Sequence, residues 1–231
     1  MNNQSTNQYI TLISSLPSAE GLFKSKLPPL SRITLEKRLN ELTPTHKAHL
    51  KLVEDMLDWR LMKSEIISKQ LLDQGKTVFQ TLHNTTLKKI IQERLEIRTL
   101  ILAMRMKHLG LSLPHAAPWG YGRWQKHIAR HWNEPAFQLS NVFNWALKAE
   151  KLLQQNEPLK LETLLLDVAF RQLQRHDCNH NFDFEAVVIY VLKWNIINRT
   201  TQYNSYQAAQ RFNQITGQIA SAFYAFQVST N

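Results

Sequence analysis

Apolar residues recur every three to four positions along most of the chain, the repeat of one face of an α-helix. The repeat predicts a first helix over roughly Ile33–Leu42. A second restarts at Thr43–Pro44, with threonine as N-cap and proline at the first helical position, and reaches about Leu72 before Gly75. The strongest segment runs from about Thr85 to Leu109 and closes at Gly110. Further helices are predicted near Gly122–Trp132, Asn141–Gln155, Pro158–Arg175, Phe184–Arg199 and Ser205–Phe226. The last has a stripe of Phe212, Ile215, Ile219, Ala222, Phe223 and Phe226. The stretch "YITLISSLP", Tyr9–Pro17, reads as a short strand or extended segment. The expectation is an all-α fold, a helical bundle of about seven to eight helices in two packed halves, with an N-terminal extended piece.

The only substantial break is "LSLPHAAPWGYG", Leu111–Gly122. It divides the chain into a disordered tail (1–8), an N-terminal helical half (9–110), a connecting corner (111–122), a C-terminal helical half (123–226) and a final tail (227–231). The centre of the long helix, "IRTLILAMRM", is apolar nearly all round, as in a helix buried on most sides. Arg98 and Arg105 lie seven residues apart and share a face there. Buried guanidiniums need partners, so Arg98, Arg105 and Glu96 are read as a polar seam between helices, with Glu93 as another carboxylate in reach.

Charge and cysteine content narrow the setting. The chain has 231 residues, a net charge of +10 and one cysteine, Cys178, which excludes an intramolecular disulfide. The opening "MNNQSTNQ" lacks the charge-then-apolar order of a secretory leader, and no apolar run is long enough to cross a bilayer. A soluble, cytoplasmic protein is expected. Residues 1–110 hold 17 Lys/Arg against 10 Asp/Glu and residues 111–231 hold 11 against 8. No basic run exceeds two residues, so a solvated surface stands ahead of a nucleic-acid footprint.

Candidate chemistry is sparse. His127 and His131 have the four-residue spacing that places two imidazoles on one metal, but no third ligand accompanies them. "HDCNH", His176–His180, offers two histidines beside the Cys178 thiol, without a matching pair or an oxyanion hole. Phosphate-loop, dinucleotide and nucleophile-elbow signatures are missing. No catalytic, cofactor or metal residues are therefore assigned. "PWGYGRWQKHIARHW", Pro118–Trp132, is read first as a structural aromatic corner, packed by Trp119, Trp124 and Trp132. Arg123, Lys126 and Arg130 would face outward as partner contacts. Base stacking by the same aromatics is the competing reading.

The phrases "YITLISSLP", "LPPLS", "ERLEIRTLILAMR", "PWG", "HIARHWNEPAFQL", "FDFEAVVIYVLKW" and "RFNQI" together resemble a bacterial domain-of-unknown-function family, number 2764, encoded in operons for V/A-type ATPases. The resemblance spans about Gln8 to Phe226. It implies a non-catalytic, all-helical protein standing in for the ATPase's C-type (d) subunit, the socket between central shaft and membrane ring. Its implied partners are other ATPase subunits, which would hold the protein at the inner membrane periphery. A helical nucleic-acid-binding protein using the basic surface is the alternative.

Overall fold

A computed structural model of the chain describes residues 9–18, 27–58, 78–112 and 119–201. All regular structure among them is helical, with no strand. In order they form α1 (Ile10–Ser15), α2 (Arg32–Leu39), α3 (Pro44–Met56), α4 (Thr85–His108), α5 (Gln125–Arg130), α6 (Ala146–Gln154), α7 (Pro158–Asp177) and α8 (184–201), with helical residues 78–81 before α4 and a 3-10 turn, Pro135–Gln138, after α5. The expected C-terminal helix, Gly75, Pro118 and the expected extension of α3 beyond residue 58 lie outside the described residues. No described helix is long and apolar enough to cross a membrane.

Side chains at the helix starts explain the boundaries. Ser31 Oγ accepts from Thr34 N, Thr43 Oγ1 from His46 N, and Asn84 Oδ1 from Leu87 N, each satisfying one of the amides a helix start leaves open. Two helices end in Schellman motifs. After α4, Leu111 N donates to Met106 O and Gly110 N to Lys107 O. After α6, Glu157 N donates to Leu152 O and Asn156 N to Leu153 O.

The N-terminal segment corrects an expectation. "ITLISS" is a helix rather than an extended piece. It is tethered in front by Tyr9 N donating to Phe182 O, and it lays Leu12 in the core. Burial of that one face outweighs the β-branched content of so short a run.

Two apolar cores share α4. One gathers α1, α2, α3, the first half of α4, the later part of α7, and α8. The other gathers the second half of α4 with α5, the turn around Phe137, α6 and the start of α7. Division of the core therefore does not follow division of the sequence at 111–122, because α8 packs beside the N-terminal helices. Trp119 touches both cores.

Candidate functional site

The corner after residue 118 docks directly on α4, and its two glycines explain how. A Cβ at Gly120 would collide with the Thr99 methyl, while Tyr121 N donates to Thr99 Oγ1 at 2.7 Å. Gly122 has φ +89°, and a Cβ there would lie 2.7 Å from Glu96 Cγ. Both side chains of α4 thus need bare backbone opposite them. Trp124 Nε1 then donates to Glu96 Oε2 at 3.2 Å, Gln92 Nε2 to Glu96 Oε1 at 3.4 Å, and Arg123 Nε stands 3.7 Å from Oε1. Glu96 is a buried carboxylate whose neighbours are donors, as burial requires.

This placement corrects the polar seam. Residues 96 and 98 are about 200° apart on a helix, and 96 and 105 about 180°, so Glu96 cannot join the arginines on one face. Glu93 is also engaged elsewhere, accepting from Gln172 Nε2 at 2.7 Å and facing His176 Nε2 at 3.1 Å. Arg98 is only 7% exposed, and burial together with the nearby Arg105 pushes its pKa down to about 10. It remains protonated at neutral pH.

Trp119, Trp124 and Trp132 are half-buried and pack against the second core. Arg123, Lys126 and Arg130 are exposed. Lys126 and Arg130, four apart on α5, lie within about 40° of each other on the helix, while Arg123 sits in the turn before it. Arg123 also lies over the Trp124 ring, 4.9 Å from its centroid. Three exposed cations thus lie on α5 and the turn before it, a stretch fixed to α4 through the Trp124–Glu96 bond.

A second feature was not legible in the sequence. Ala136, Phe137 and Gln138 have φ of 45°, 54° and 56°, three successive non-glycine residues in the left-handed region. Such residues cost on the order of 1 kcal/mol or more each, so surrounding contacts must over-determine them. Ala136 N donates to Glu150 Oε2 at 2.9 Å. Lys107 Nζ spans Glu150 Oε1 at 3.1 Å and Glu134 O at 2.9 Å, and lies 5.2 Å from the Phe137 ring centroid. Phe137 O meets His127 Nε2 at 3.0 Å, and its ring stacks on Trp132 at 5.3 Å.

The four histidines of the two candidate metal stretches, His127, His131, His176 and His180, all make structural contacts. His131 Nδ1 bonds to His127 O, and the two rings stack at 4.2 Å. His176 turns to Glu93, and His180 to Asp183 Oδ2 at 2.6 Å and Thr86 Oγ1 at 3.2 Å, so neither contacts the exposed Cys178 thiol. His180, Asp183 and Glu185 bring ligand atoms within 4.8 Å of one another. Asp183 also caps α8 through Ala186 N, and Glu185 accepts from Asn84 Nδ2.

A cleft of about 760 Å³ opens elsewhere, between α2 and α3 on one side and α4, α7 and α8 on the other. On its wall Arg32 is paired with Glu54 (2.9 Å) and Glu36 (2.8 Å), and Asn195 Nδ2 donates to Glu54 at 2.8 Å. Arg94 lines it from α4 as a buried side chain, its pKa pushed down to about 10 by burial.

Comparison of the chain with models of protein families, with curated proteins and with solved structures returns no match.

Proposed function

We propose that the chain is a non-catalytic subunit or assembly partner of a bacterial V/A-type rotary ATPase, contacting the central shaft or membrane ring from the cytoplasmic side. The series of sequence phrases is one support. The observation that carries the reading is the exposed cationic surface of Arg123, in the turn before α5, with Lys126 and Arg130 on α5, backed by the Trp124–Glu96 bond to α4. A contact held on rigid packed helices transmits force between partners, and cations there suit an acidic protein surface. ATP hydrolysis would belong to other subunits, and the protein's role would be mechanical and positional.

The test is recovery of the tagged full chain from its native membrane under gentle conditions, followed by mass spectrometry. Co-purification of shaft or ring subunits, lost on reversing the three charges, is the expected result. Absence of any ATPase subunit would defeat the reading. If nucleic acid co-purifies instead, and binding falls steeply with salt, the basic surface serves phosphate recognition.

A further inference from the structure

We draw no further inference here: the strongest candidate, the side-chain cluster of His180, Asp183 and Glu185 at the start of α8, is an acidic group at a helix N-terminus whose members already answer one another, Thr86, Ala186 N and Asn84, and nothing else among the described residues points to a ligand there.

Discussion

Trp124 gives its indole N–H to Glu96 across 28 residues of sequence, at 3.2 Å. This bond fixes the corner to α4, because Glu96 is buried and Trp124 is the donor that reaches its Oε2. Glu96→Ala should cost about 1–3 kcal/mol in urea unfolding, since the indole N–H loses its acceptor and a void is left. Glu96→Gln keeps an acceptor and should cost less. Equal losses in the two variants would mean that volume, rather than the hydrogen bond, matters there.

The glycines should separate by what lies opposite them. Gly120→Ala forces Thr99 or the corner to move, and about 1–3 kcal/mol of overpacking is expected. Gly110 has φ +69° but nothing within 4 Å of an added Cβ, so Gly110→Ala should cost only the backbone strain, about 1 kcal/mol. Chemical denaturation of the two variants checks the order.

Much of this scaffold was readable because local chemistry set it. Ser31, Thr43 and Asn84 cap helices where a polar residue precedes an apolar repeat, and Gly110 ends α4 where glycine follows one. The corner was readable as a packing corner from its tryptophans and glycines. Its receptors, Glu96 and Thr99, were not, because a buried helix that is apolar nearly all round does not announce which face meets which loop. Glu96 was drawn toward the arginines by proximity in sequence, against the helical geometry that separates them. The clamp of Lys107 and Glu150 on residues 136–138 left no trace at all. Its members are 43 positions apart, and left-handed backbone at Ala136 and Phe137 contradicts their ordinary preference.

That left-handed turn gives a signed prediction. Gln138 is exposed with φ +56°, so Gln138→Gly removes strain without opening a cavity and should stabilise the protein by about 1 kcal/mol. Glu150→Ala removes the acceptor for Ala136 N and the partner of Lys107, and should destabilise by about 1–3 kcal/mol. Melting temperatures moving in opposite directions would confirm the clamp; a destabilising glycine would refute it.

The N-terminal segment should loosen in mild acid. His46 Nδ1 meets the Tyr9 hydroxyl at 2.6 Å, and its ring stacks on Phe184 at 4.0 Å. Burial, and then the neighbouring His49, lower its pKa below the usual 6.5, with Glu185 acting the other way. A histidine whose folded pKa is depressed favours folding in its neutral form. Its contribution is fully present above the unfolded pKa and declines as pH falls below about 6.5. Unfolding midpoints measured from pH 7.5 to 5 should therefore drop less in His46→Gln than in the wild type. Identical slopes would remove His46 from the account.

Charge reversal on α5 and the turn before it separates docking from packing. Lys126→Glu and Arg130→Glu alter exposed side chains with no ion pair among the described residues, so each should change stability by less than about 0.5 kcal/mol. Arg123→Glu differs, because it sets a second carboxylate beside Glu96 and removes the guanidinium from the Trp124 ring. Arg123 is 70% exposed at its side chain, so solvent screens much of that repulsion, and a cost of no more than about 1 kcal/mol is expected. Association with an acidic partner subunit should slow for all three, with a weaker salt dependence than the wild type, while dissociation changes little. Stopped-flow association at two ionic strengths reads this out. If the variants associate at wild-type rates, the basic face is a solvated surface and the partner, if one binds, uses another part of the molecule.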